Sequence, residues 1–269
     1  NGDGKDDIFV GAPQATPPPI GGTTMRAFAG IAYIIFGRNV AGGVDFAFSD
    51  IDLANLLNPG DVGFSIWGPA FNALCGYSVS AAGDVNGDGL ADVIVGAYLA
   101  DAVVNATTTR TQGGASYVAY GSRSAPATVD LASFNAFGSY TSSGFRILGA
   151  RAGDWSGFAV GGGGDVNGDG VGDVIVASYK ANGIGGITYV VFGRNVAVSG
   201  TALEQVDLTT LSNSNSIGFR IIGAAAADYS GYSAQMAGDV NGDGVSDIVV
   251  GAWPANPPAV SGVSRDGAG

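Results

Sequence analysis

Histidine is absent from this chain of 269 residues, and cysteine and glutamate each occur once. Without histidine there is no serine–histidine or cysteine–histidine catalysis and no histidine-bound zinc. A lone cysteine, Cys75, cannot close an internal disulfide and reads as a buried thiol. Basic residues are scarce. Lys and Arg total 11 against 23 Asp and Glu, for a formal charge of −12 and a pI near 4.1. So acidic a chain lacks the basic face that nucleic-acid phosphates require, and an anionic membrane surface repels it. No apolar run is long enough to cross a membrane and no charged-then-apolar leader opens the chain, so no direct membrane insertion is expected. Charged residues make up only 13% and hydrophobic ones 46%, which excludes a disordered chain.

The one glutamate, Glu204, leaves 22 of the 23 acids as Asp. Helical surfaces would use Glu freely, so the excess of Asp points to turns and to ligands for hard cations. Glycine supplies 47 residues without a Gly-X-Y period, which excludes collagen and suggests short strands between tight turns.

The sequence repeats. Gly-Asp-Val-Asn-Gly-Asp-Gly at 83–89 returns at 164–170 and 238–244, and a truncated copy, Asn1-Gly2-Asp3-Gly4, opens the chain. From the Asn of each copy the intervals are 85, 81 and 74 residues. Each copy is followed by an apolar run (Ile8–Ala12, Val93–Ala97, Val174–Ala177, Ile248–Ala252). Further runs recur at 31–37, 115–121 and 187–193, at 63–66, 144–147 and 218–221, and at 76–79, 157–160 and 231–234. Four short β-rich runs per cycle, stacked side by side, predict an all-β propeller of four-stranded antiparallel blades. The cycles span about 1–75, 76–156, 157–230 and a partial 231–269, all within one domain. Asp52, Asp130 and Asp207, each followed by Leu, read as N-caps of single helical turns. The stretches Ala100 to Gln112 and Pro254 to Gly262 read as inter-strand loops.

The Asp loop carries the chemistry. In Asp84-Val85-Asn86-Gly87-Asp88-Gly89-Leu90-Ala91-Asp92, side-chain oxygens fall at positions one, three, five and nine, and Leu90 would add its carbonyl at seven. An all-oxygen set in a flexible loop suits calcium better than magnesium. The same places are Asp165, Asn167, Asp169, Val171 and Asp173, then Asp239, Asn241, Asp243, Val245 and Asp247. The opening copy keeps only Asn1, Asp3, Lys5 through its carbonyl, and Asp7, and is expected to bind weakly. Strands flank these loops and the last acid stands at nine, so they are not EF-hands. Asx-turns use the same residues and bind nothing. Against that reading, each complete copy sets three carboxylates within nine residues, where bare charges would repel.

Gly-Tyr/Phe-Ser-Val, then Gly-Asp-Val-Asn-Gly-Asp-Gly, then Asp-Val-Ile-Val-Gly-Ala resembles the FG-GAP repeat of integrin α-subunit propellers. The spacer ending Val-Asp-Leu, followed by Gly-Phe-Arg-Ile, is similar to the versions in microbial surface proteins. The resemblance covers essentially the whole chain. It implies a seven-bladed parent propeller with calcium between the first and second strands of a blade. It also implies an extracellular or cell-surface setting and adhesion through a protein or glycan ligand on the propeller loops. With three cycles and part of a fourth, an open arc is expected, with apolar patches on its two end blades and further blades in the parent chain. No residues match an integrin metal-dependent adhesion insert.

Other candidates are weaker. Gly161 to Gly164 lacks the Gly-Lys-Ser/Thr of a phosphate loop and reads as a close-packed strand. Asp154 and Asp228 recur at one repeat position, which favours a turn contact over a catalytic pair. Asn105-Ala106-Thr107 is a glycosylation sequon. Arg38 and Arg194, each after Phe-Gly, read as caps on blade edges. The expected function is non-catalytic, calcium-dependent adhesion or ligand binding. The alternatives are an accessory propeller of a calcium-dependent secreted or surface hydrolase, and a structural spacer.

Overall fold

Glycine-bounded runs of β-branched and aromatic residues pair with their neighbours in sequence. The computed structural model describes residues 2–19, 25–37, 50–57, 62–124, 128–135, 143–183, 185–200, 205–211 and 216–253. Asn1, Arg38 and the Pro254 to Gly262 stretch lie outside them.

The first blade holds β1 (Ile8–Ala12), β2 (Ile31–Ile35) and β3 (Gly63–Trp67). The second holds β4 (Ser78–Gly83), β5 (Asp92–Ala97), a side hairpin of β6 (Ala102–Asn105) and β7 (Thr108–Arg110), and β8 (Ala115–Ala119). After a crossing strand, β9 (Thr128–Asp130), the blade closes with β10 (Gly144–Leu148). The third holds β11 (Ala159–Gly164), β12 (Asp173–Ser178) and β13 (Ile187–Val191) and, after a second crossing strand, β14 (Val206–Asp207), closes with β15 (Gly218–Ile222). A fourth begins with β16 (Ser230–Gly238) and β17 (Asp247–Ala252). Within each cycle the pairing is antiparallel and sequential, as Val95 opposite both Val79 and Tyr117 illustrates. The chain is nearly all β, an open arc of propeller blades, and no sheet of the described residues joins β1 to β17.

Two details differ from the sequence reading. The sheets are not purely antiparallel. β9, from the second cycle, pairs in parallel with β3 of the first blade, and β14 pairs in parallel with β10 of the second. The second and third cycles thus each lend a short strand to the blade before them. The stretch from Ala100 to Gln112 is also not simply a loop, because it folds into the β6–β7 hairpin. One further element, the short helix α1 (Val196–Ser199), is capped by the Asn195 side chain and ends on Gly200 at φ 68.

The three Asp caps stand where expected. Asp52, Asp130 and Asp207 accept from the N–H of Ala54, Ala132 and Thr209, each opening a 3₁₀ turn. They satisfy donors the turn would otherwise leave bare. Asp130 and Asp207 also face the preceding blade. Arg26 donates to Asp130 at 2.6 Å and to the Gly68 carbonyl at 2.8 Å. Arg110 reaches both oxygens of Asp207, at 2.9 and 2.8 Å, and the Gly149 carbonyl at 2.7 Å. These arginines clasp successive blades together.

The core lies between blades. β4 packs on β11, β11 on β16, and β1 on β4. Every residue of β5 and β12 is buried, as strands covered on both faces should be. At Gly96 the two blades approach so closely that an added Cβ would stand 2.1 Å from the Gly157 carbonyl oxygen. Cys75 lies in this core, and burial pushes its thiol up to about 12. The outer blades show uncovered apolar residues. Ile8 is 57% exposed where Val93 and Val174 are 7% and 0%, and Val249 is 55% exposed where Ile94 and Ile175 are both 0%.

Candidate metal centre

The strand order puts each of the three complete Asp loops between the first two strands of its blade, and the truncated copy stands just before β1. Within the loop the side chains follow one hydrogen-bond plan. Asp84 Oδ1 accepts from the N–H of Gly87 and Asp88, and its Oδ2 accepts from Gly89. Asn86 Oδ1 accepts from Asp88, and Asp88 Oδ1 accepts from Leu90. Asp165 and Asp239 repeat the first pattern onto Gly168, Asp169 and Gly170 and onto Gly242, Asp243 and Gly244. Asn167, Asp169, Asn241 and Asp243 repeat the second. Gly87 and Gly89, at φ 75 and 83, hold left-handed positions that a side chain would strain.

The ninth-position acid has a task the sequence did not reveal. Asp92 sets Oδ2 on the Val85 N–H and Oδ1 on the Gly121 N–H beyond the third strand. Asp173 does the same with Val166 and Gly193. In the truncated copy Asp7 accepts from Gly37, and Lys5 N–H donates to Asp3. The ninth acid therefore staples the loop to the third strand. Asp92 and Asp173 are 1% and 0% exposed. Burial, opposed by these N–H donors and reinforced by the neighbouring Asp pair of each loop, raises their carboxyls to about 7 and about 6. Asp239 lies in the open, and the N–H groups of Gly244, Gly242 and its other loop neighbours lower its carboxyl.

These residues fit a hard cation in kind: oxygen donors only, with a buried carboxylate beside two more that a positive ion would relieve. As the loops stand, each carboxylate is turned to backbone N–H groups. Among the described residues no three acidic side chains converge closely enough to grip an ion. Leu90, Val171 and Val245 remain the seventh-position carbonyl donors of their loops.

The other singled-out residues fall away from these loops. Gly161 to Gly164 lies in β11, beneath its neighbours. The Asp154 N–H donates to the Arg151 carbonyl and the Asp228 N–H to the Ala225 carbonyl, both at 3.4 Å, and the Ala225 N–H donates to Asp228 Oδ2 at 2.8 Å, so both acids sit in turns. Arg194 gives its backbone N–H to the Val85 carbonyl, linking neighbouring blades. Asn105 Oδ1 accepts from the N–H and hydroxyl of Thr107 on an exposed turn.

At the opposite strand ends lies a feature that the motif search missed. Tyr77 contacts Tyr98 and Phe158, Phe158 contacts Tyr179 and Tyr232, and Tyr232 contacts Trp253. Lys180 Nζ lies 3.0 Å from the centre of the Trp155 ring. Tyr77 and Phe158 stand just before the first strand of their blades and Tyr232 near the start of β16, and Tyr98, Tyr179 and Trp253 follow the second strand. That fixed recurrence was the available signal.

Sequential antiparallel blades that hold glycine-rich Asp loops between their first two strands define a propeller-type repeat protein. The FG-GAP repeat family matches this chain at residues 1–35 and 76–119. Over 198 residues the chain is 31% identical to integrin alpha pat-2 of Caenorhabditis briggsae, covering 67% of this chain and 12% of that protein. Over 107 residues it is 34% identical to integrin alpha pat-2 of Caenorhabditis elegans, covering 39% and 8%. The chain belongs to the FG-GAP, integrin-α-like family. The matched stretch spans about an eighth or less of these relatives.

Proposed function

We propose that this chain is a calcium-binding propeller module of an adhesion protein that works outside the cell, engaging a protein or glycan through its loops. The observation that carries this reading is the threefold repetition of one hydrogen-bonded Asp frame, at Asp84, Asp165 and Asp239. An Asn-Gly turn alone needs no such set of carboxylates. Three bound calcium ions would change the formal charge from −12 to −6 and so halve the net charge whose self-repulsion opposes the compact state. At calcium about one to ten times a dissociation constant of roughly 10⁻⁴ to 10⁻³ M, each loop would stabilise the fold by about 0.4–1.4 kcal/mol.

The likeness to integrin alpha chains supports the adhesion reading. No catalytic role is assigned, and the Asp154 and Asp228 turns give no acid–base pair. Among the described residues no helix is long and apolar enough to cross a membrane. The test is attachment of cells or matrix proteins to the immobilised chain, with calcium and with chelator. Calcium-dependent attachment supports the reading, and attachment that ignores calcium, or none at all, contradicts it.

A further inference from the structure

Blade two carries one piece that the repeat does not require. Between its second and third blade strands the chain turns out into the β6–β7 hairpin, a two-stranded sheet that joins no blade. Blade three makes the same connection without a hairpin, through a short turn closed by the Gly186 N–H on the Ala181 carbonyl. The base of the hairpin is fixed. Arg110 grips Asp207 of the next cycle and the Gly149 carbonyl, and the Gln112 N–H donates to Asp101 Oδ1. Val104, which the strand register skips, packs on the buried cluster that includes Ala102 and Leu148. The tip has no such ties, and residues 105–109 are all exposed. That exposure does not come from an end of the arc, because blades one and three flank this blade.

Asn105-Ala106-Thr107 is the only Asn-X-Ser/Thr sequence in the 269 residues, and it falls at this tip. Asn105 pairs with Thr108 across the turn. Asn105 Oδ1 accepts from the Thr107 N–H at 3.0 Å and from the Thr107 hydroxyl at 2.9 Å. Both bonds use the oxygen. Among the described residues Nδ2 donates to no group, so a substituent on it costs the fold no hydrogen bond. The hairpin leaves the C-terminal end of β5, whereas the Asp loop enters the other end, so a group on Asn105 stands clear of the Asp frame.

We infer that Asn105 is the attachment site of an N-linked oligosaccharide, held in solvent at the tip of the β6–β7 hairpin. The inference rests on the reading that the chain works outside the cell, because such a sugar is added on entry to a secretory pathway. The donor is an oligosaccharide on a lipid diphosphate, and an oligosaccharyltransferase joins the two. Asn105 Nδ2 forms a bond to the anomeric carbon as the bond from that carbon to the diphosphate oxygen breaks. The lipid diphosphate leaves with the electron pair, and a base of the transferase takes the Nδ2 proton. The test is expression of the whole chain behind a secretion signal in a eukaryotic cell, with retained and secreted protein both collected. Digestion with peptide N-glycosidase F in heavy-oxygen water labels each asparagine that carried a sugar. The expected result is label at Asn105 alone, lost in Asn105→Gln and in Thr107→Ala and kept in Thr107→Ser. Asn105 unlabelled in both fractions, or a sugar that persists in Asn105→Gln, overturns the inference. Calcium calorimetry on the same protein keeps the two readings apart. An unmodified chain that binds calcium overturns the sugar site alone, and a modified chain that binds none upholds it and contradicts the calcium reading.

Discussion

The second and third Asp loops and the last one share a sequence and differ in surroundings. Asp92 and Asp173 are sealed between blades, and each holds a glycine N–H beyond its third strand. Asp247 is half-buried, and among the described residues its second oxygen meets only the Asn241 amide, at 3.5 Å. The strands behind the loops differ likewise, since Ile94 and Ile175 are buried where Val249 is exposed. The motif fixes the inner hydrogen bonds of a loop. The neighbouring blade and the third strand decide whether its ninth acid is a buried staple.

Substitutions at matched positions can break or sharpen that contrast. The largest effect is expected from Asp173→Ala, which strips buried N–H groups of Val166 and Gly193 of their acceptor. A loss of about 3–5 kcal/mol in urea unfolding is expected, and clearly less from Asp247→Ala. Equal losses would show that burial is not what separates the loops. Next comes Gly96→Ala, whose Cβ would meet the Gly157 backbone oxygen at 2.1 Å, against Gly251→Ala, which meets the Ser233 hydroxyl at 2.4 Å. A side chain can turn away and a neighbouring blade's backbone cannot, so about 2–3 kcal/mol is expected for the first and little for the second.

Arg110→Ala removes the bidentate clasp on Asp207, whose two side chains are 16% and 19% exposed. About 2 kcal/mol is expected, read from the same unfolding curves. The smallest effect is in the pH profile. Burial tends to raise the Asp207 carboxyl, but hydrogen bonds from Arg110 and Thr209 outweigh it and hold the group below the usual carboxylate value. A depressed folded value means the clasp contributes fully above the ordinary Asp range and is lost as pH falls through the folded value. Acid unfolding of Arg110→Ala should therefore show a shallower pH dependence than the parent, and identical slopes would remove Asp207 from the account.

The blade order was legible in the sequence because the strands are β-branched runs marked by glycine at constant repeat positions. The donated strands β9 and β14 were not, because two or three residues carry no periodicity of their own. Val129-Asp130-Leu131 and Val206-Asp207-Leu208 read only as caps until Arg26 and Arg110 were seen facing them across a blade boundary. The ligand types of the Asp loop were evident from spacing. The double duty of Asp92 was hidden, since its second partner, Gly121, lies 29 residues away.

Calcium titration of the purified chain, followed by heat and by melting temperature, bears most directly on the central reading. Three equivalents are expected, for the loops at Asp84, Asp165 and Asp239, with a rise in melting temperature that chelator reverses. Asp169→Ala should leave two. If calcium produces neither heat nor a thermal shift in the parent chain, the Asp frames are turns that serve the fold alone, and the calcium-dependent adhesion reading is contradicted.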